Sequence, residues 1–229
     1  MGVLPLVEHS LWCTVTTSQM DVSTIAQQCL RLLSIVERKS AESSAPDASA
    51  PDTAAGDPKR RAMLEGLGDP QVVIVGRVAL QKRIRKHVSM ITVPTSTHLM
   101  AFKEIMFRWS KMTPRVDQPD SSGTGREDVK RPVSEDERHE WQNNMCFLAS
   151  GWRCCQLEDL EPFPQFLVPL LPQRLHAPHQ PSDMAKQFTT DVVELLTSES
   201  LKVREAAKEA LGNELHTKLL PMFFELLDE

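Results

Sequence analysis

Tyrosine is absent from this chain, and aromatic residues make up only 5% of it. Proline is abundant but clustered. Together these features point to helical segments separated by Pro-rich connections rather than to a β-rich fold. The five cysteines, Cys13, Cys29, Cys146, Cys154 and Cys155, show no CxxC spacing and are odd in number. A disulfide framework is therefore not expected, and reduced thiols are. No apolar run approaches the ~20 residues that a membrane span needs, and the opening Met1-Gly-Val-Leu-Pro-Leu-Val-Glu-His9 lacks the basic region of a signal peptide. Leu6 stands where a myristoylation signal wants Ser or Thr. The expectation is a soluble, cytoplasmic protein with peripheral membrane contact left open. A net charge of -5 gives no general drive toward nucleic acid.

Chemistry-bearing motifs are also missing. There is no Gly-rich phosphate loop, HExxH zinc helix, GxSxG elbow or Cys/His zinc spacing. His176-x-x-His179 lies between prolines and offers two imidazoles, too few to hold a metal. Adjacent Cys154 and Cys155 pair only with strain and read as plain thiols. The carboxylates sit on polar helix faces or in linkers. No catalytic, cofactor-binding or metal-ligating residue is assigned, and no cofactor is expected.

What the chain does hold is helical periodicity, with 41% hydrophobic residues to bury. The organising stretch is Asp191 to Gly212. Phe188, Val192, Leu195 and Leu196 form one stripe, and Val203, Ala206, Ala207, Ala210 and Leu211 form a second. A tight turn over Thr197 to Ser200 joins them, with Ser200 expected to cap the second helix and Gly212 to end it in the left-handed conformation. The small alanines let two helices approach closely. The Val203-Arg204-x-Ala-Ala-x-x-Ala210-Leu211-Gly212 pattern looks like the second helix of a HEAT or armadillo-type repeat, a unit that needs helical neighbours.

From the N-terminus, the reading gives a helical segment over 1–39, with Val22, Ile25, Ala26, Cys29, Leu30, Leu32, Leu33 and Val36 as its pattern. A disordered linker is expected over 40–62, which has almost nothing to bury. A helical hairpin follows over 63–112. Its first helix buries Val78, Leu80, Ile84, Val88 and Ile91, and its other face carries Arg77, Lys82, Arg83, Arg85, Lys86 and His87. Such a basic face suits anionic lipid, calmodulin or nucleic acid, yet no aromatic lies among its charges to stack a base, and a solvated structural face is the simpler reading. The second helix, through Leu99, Phe102, Ile105, Met106 and Trp109, should lie antiparallel to the first. A second disordered linker covers 113–133, and a capping box of Ser134 and Glu137 opens a helix over 134–155. A Pro-rich connection over 156–182 leads to the HEAT-like repeat of 183–229, whose last helix is apolar enough to want a partner. Ser and Thr in 40–55 and 121–134 are candidate phosphorylation sites. The fold class is all-α, with HEAT/armadillo-like helical repeats and disordered linkers.

Four short landmarks stand in order: Gly76-Arg-Val-Ala-Leu-Gln-Lys-Arg83, the Arg108-Trp109 pair, Glu140-Trp141-x-Asn143-x-x-x-Phe147-Leu148, and Leu211-Gly212-x-Glu214-Leu215 followed by Leu219-Leu-Pro-Met-Phe-Phe224. In this order they resemble neurofibromin and its fungal relatives, the inhibitory regulators of Ras, over the last two-thirds of the chain. The resemblance implies a segment shortly before the family's GTPase-activating domain, in a protein that accelerates GTP hydrolysis on Ras. The chain departs from the family after Phe147-Leu148, where Ala149-Ser-Gly-Trp-Arg-Cys-Cys155 replaces an Ala-Leu-Gly-Gly-like stretch. The motif that carries the family's arginine finger is not found, so no catalytic residue is carried over and the chain is expected not to be an enzyme. The expected partners are a Ras-type small GTPase through that absent domain, and adjacent helical repeats or a second copy through the apolar faces. An independent HEAT-like adaptor, unrelated to Ras, stays open as the alternative.

Overall fold

The computed structural model describes residues 3–44, 58–91, 94–118, 132–151, 163–175 and 181–227. Among them every regular element is helical and no strand occurs. The helices are α1 (Leu4–Thr14), α2 (Met20–Ser44), α3 (Pro58–Leu67), α4 (Arg77–Ser89), α5 (Ser96–Val116), α6 (Glu135–Ser150), α7 (Pro181–Glu194), α8 (Leu201–Glu209) and α9 (Leu220–Leu227). Short 3-10 turns lie over Gln165–Leu170, Gln173–Leu175, Leu195–Thr197 and Thr217–Leu219.

Local chemistry explains where these helices begin. Pro58 is the first helical residue of α3, where a missing N–H costs nothing. Thr95 caps α5 by accepting from the His98 amide, while His98 takes the place of the usual Glu and accepts from the Thr95 amide. Ser134 and Glu137 make the expected capping box of α6, with the Ser134 amide donating to the Glu137 carboxylate at 2.8 Å. Ser23 ties the start of α2 to the end of α1 by donating to the Val15 carbonyl at 2.7 Å.

α6 is the central strut. It packs against α5, against α4 and against the turn that follows α8. α1 lies between α5 and α2, α3 bridges α2 and α4, and α7 packs on α9. Trp109 of α5 meets Phe188 of α7 with ring centroids 5.3 Å apart, which joins the two halves. One continuous core results, built on Trp12, Trp109, Trp141, Phe147, Phe188 and Met145, all fully buried. Met100, Phe163, Leu167, Leu171 and Leu175 form a small satellite beside it.

The two stripes around Asp191–Gly212 stand as the spacing predicts, with Phe188, Val192, Leu195, Val203, Ala206, Ala207 and Ala210 buried. Several other expectations are corrected. Order does not stop at 39 or resume at 63: α2 continues to Ser44 and α3 starts at Pro58, so both ends of the expected linker are helical. α5 likewise runs through Thr113 and Pro114 to Val116. The expected hairpin does not form, because α4 and α5 each find their main partner in α6 rather than in each other. Ser200 holds the N-cap position of α8, but its hydroxyl makes no capping bond; Ser198 instead accepts from the Ser200 amide at 3.0 Å and donates to Asp117. Gly212 does not adopt positive φ, since the chain passes α8 into a π-helical turn over Ala210–Glu214. The central stretches of the expected linkers, 45–57 and 119–131, lie outside the described residues, as do 152–155 of the expected helix over 134–155 and 156–162 and 176–180 of the Pro-rich connection.

Candidate interaction surfaces

A buried polar cluster locks four helices together. Glu8 of α1 accepts from Arg60 of α3 at 2.8 Å and from the Trp12 indole at 3.3 Å. Arg60 also donates to Glu37 of α2 at 2.7 Å, and the Nε2 of His98, on α5, lies 3.7 Å from the Glu8 carboxylate. Burial raises the Glu8 carboxyl, but the Arg60 guanidinium and then His98 outweigh it and hold the group below its ordinary value. Burial pushes His98 down to about 4, so the imidazole is neutral at physiological pH. Its Nδ1 accepts from the Thr95 amide at 3.0 Å, which assigns the ring proton to the nitrogen facing Glu8. Enclosed by α1, α2, α3 and α5, this cluster holds the fold rather than a substrate.

A second cluster borders a cavity of about 310 Å³ that includes His9, Cys13, Glu104, Arg108 and Arg174 in its lining. Glu104 accepts from Arg108 at 2.8 Å and from two nitrogens of Arg174, which also stacks over Phe107 at 4.5 Å. His9 and Cys13, one helical turn apart, approach to 3.8 Å. Such a pair acts as a nucleophile only if a thiolate forms. Burial pushes the Cys13 thiol up to about 12 and pushes His9 down, so neither group reaches its charged form near neutrality. The Cys146 thiol is likewise pushed up to about 12 by burial. The His9–Cys13 spacing of four is the sequence signal for this contact. Among the described residues no three His, Cys, Asp or Glu side chains are placed to hold a metal. His176, His179, Cys154 and Cys155 lie outside the described residues.

The surface carries more information. α2 has two apolar stripes. Ala26, Leu30 and Leu33 are buried against the body, whereas Ile25, Leu32 and Val36 are exposed at 57%, 55% and 52%. This corrects the single inward pattern expected over 20–38. With Val22 and Cys29, half-buried, the outer stripe reads 22, 25, 29, 32, 36, the alternating three and four spacing by which one helix packs along another. In α9 no residue is buried, although it is the most apolar of the described helices, and Phe224 and Leu227 are more than half exposed.

The basic face of α4 is largely absorbed by the fold. Arg85 is buried and pairs with Glu214 of the π turn at 2.9 Å. Arg83 donates to the Gly66 carbonyl, and His87 contacts the Arg83 carbonyl at 2.9 Å. Arg77 pairs with Asp136 at 3.0 Å. Of the basic residues of α4, Lys82 and Lys86 are exposed and make no ion pair among the described residues. Val78, expected on the buried side, is exposed at 67%. Among the described residues no helix is long and apolar enough to cross a membrane. Compared with known proteins, the chain matches no family model and no curated sequence.

Proposed function

We propose that this chain is a non-catalytic helical scaffold of the HEAT/armadillo-like kind, acting within a Ras regulator of the neurofibromin type by stacking on neighbouring helical units. The observation that carries the stacking is the pair of unpartnered apolar faces, one on α2 and one on α9. An array that ends in water normally presents polar outer faces on its terminal units. Here Ile25, Leu32 and Val36 each leave about half their surface in water, and covering them contributes roughly 1 kcal/mol apiece. The Ras assignment rests on the ordered sequence landmarks. In this reading the catalytic arginine belongs to another part of the regulator, and the apolar faces set where that part sits.

An antibody raised against residues 183–229 tests the scaffold reading. A native product several times larger than 25.8 kDa that is retained by GTP-loaded Ras is the expected result. A product at 25.8 kDa favours a free-standing adaptor. That second reading has its own support in a groove of about 600 Å³ between α6 and α8, lined by both signs of charge, Arg138, Lys202, Glu205 and Glu209 among them. Acceleration of GTP hydrolysis on Ras by residues 1–229 alone overturns the non-catalytic assignment.

A further inference from the structure

Between α3 and α4 the chain runs Gln71-Val-Val-Ile-Val-Gly76 with neither helix nor strand over 72–75. Val73 and Val75 are each 85% exposed, while Ile74 between them packs on the core. That alternation is the signature of an extended segment with one face outward. Val72 and Val78 are also exposed, so four branched apolar side chains stand in solvent along the short stretch 72–78. Isolated exposed apolar residues are ordinary; a run of this kind marks a contact surface.

Charge decides what the contact is. Val78, Lys82 and Lys86 recur at four-residue spacing and are all exposed, so they form a line along the outer side of α4 that begins at this stretch. Neither lysine has an ion pair among the described residues. The carboxylates around this stretch are already engaged: Asp69 accepts from the Gln71 amide, Asp136 pairs with Arg77, Glu137 with Arg115, and Glu135 with Lys202. Asp69 keeps its charge, but α4 itself has no acidic residue. With Arg77 and Arg85 paired it still carries the uncompensated cations Lys82, Arg83 and Lys86, so this helix is net positive although the chain as a whole is acidic. The apolar helix α9 lacks this combination, because its one charged side chain is Glu225.

We propose that this stretch and line form a docking surface for an anionic phospholipid bilayer. Val73, Val75 and Val78 enter the boundary between headgroups and acyl chains, and Lys82 and Lys86 lie against the anionic headgroups. The surface is independent of the α2 and α9 faces, and so of the scaffold reading.

Flotation with vesicles of about three parts phosphatidylcholine to one part phosphatidylserine tests it, since each lysine near such a surface is worth about fivefold in partitioning. The wild-type chain is expected to float with these vesicles, to do so less at raised salt, and to stay behind with phosphatidylcholine alone. V73D/V75D and K82A/K86A are each expected to weaken partitioning by about tenfold or more while keeping the wild-type thermal midpoint, because all four side chains are exposed. F224D/L227D is expected to change nothing. The proposal is overturned if the wild type does not float, if neutral vesicles serve as well, if V73D/V75D still binds fully, or if binding moves with F224D/L227D. Self-association without lipid that V73D/V75D abolishes also overturns it, by assigning the stretch to a second copy.

Discussion

Arg60 reaches from α3 to Glu8 of α1, 52 residues earlier, and donates to its carboxylate at 2.8 Å inside the protein. A buried pair of this kind contributes little compared with an apolar pair of the same shape, but losing one partner strands the other charge. Arg60→Met is therefore expected to cost roughly 3–5 kcal/mol in urea unfolding. Glu8→Gln combined with Arg60→Met should recover most of that loss. A loss below about 1 kcal/mol for the single variant would show that Glu8 finds water or another cation.

His98 sets the acid limit of the fold. Burial depresses its folded-state value to about 4, below the ordinary 6.5, so the unfolded chain binds the proton more readily. Stability is fully present above about 6.5 and falls as pH drops from there toward 4, by roughly 3 kcal/mol in full. Glu8, held below its ordinary value, adds to the loss at the acid end of the same range. Unfolding free energies measured from pH 7.5 to 4.5 should fall steadily in the wild type, and less steeply in His98→Gln. Equal slopes in the two proteins would assign the acid sensitivity to other groups.

Two glycines are expected to respond in opposite ways. A Cβ on Gly68 would stand 2.4 Å from the Gln27 carbonyl oxygen and 2.7 Å from the Arg31 Cβ, where α3 closes on α2. Backbone cannot step aside cheaply, so Gly68→Ala should cost about 1–3 kcal/mol. Gly212 meets nothing within 4 Å and does not need positive φ. Gly212→Ala should be neutral or stabilise by up to ~1 kcal/mol through a less flexible unfolded chain. Thermal unfolding of both variants checks the contrast, and equal losses would mean that the π turn needs its glycine.

Local features were legible in the sequence because they depend on neighbours a few residues apart. The Ser134–Glu137 box and the Phe188 and Val203 stripes are of this kind. Distant pairings were not legible. Arg85 reads as one of six basic residues on a wet face until Glu214 is brought against it. α4 and α5 look like a hairpin because their connection is short, but both meet a better apolar partner in α6. The cluster of Glu8, Glu37, Arg60 and His98 draws on four helices, and no spacing announces it. Of the candidate lipid surface, the lysines were visible as part of a basic helix. The exposure of Val73, Val75 and Val78 was not, since apolar residues read as core until the packing is known.

α2 shows the same ambiguity within one helix, and two leucines separate its roles. Leu30 is fully buried, whereas Leu32, two positions on, is 55% exposed. Leu30→Ala removes core contacts and should cost about 2–5 kcal/mol in the isolated chain. Leu32→Ala loses less apolar contact and gains helix propensity, so its cost should stay below about 1 kcal/mol. If the outer stripe is where a neighbouring helix stacks, the order of effects changes in the native product. There Leu32→Asp should open the α2 face to limited proteolysis while leaving the unfolding of the isolated chain almost unaltered. Equal costs for the two alanine variants in isolation would mean that α2 is rotated and Leu32 belongs to the core. Unchanged proteolysis of the native Leu32→Asp product would mean that nothing stacks on α2, and the scaffold reading would lose one of its two faces.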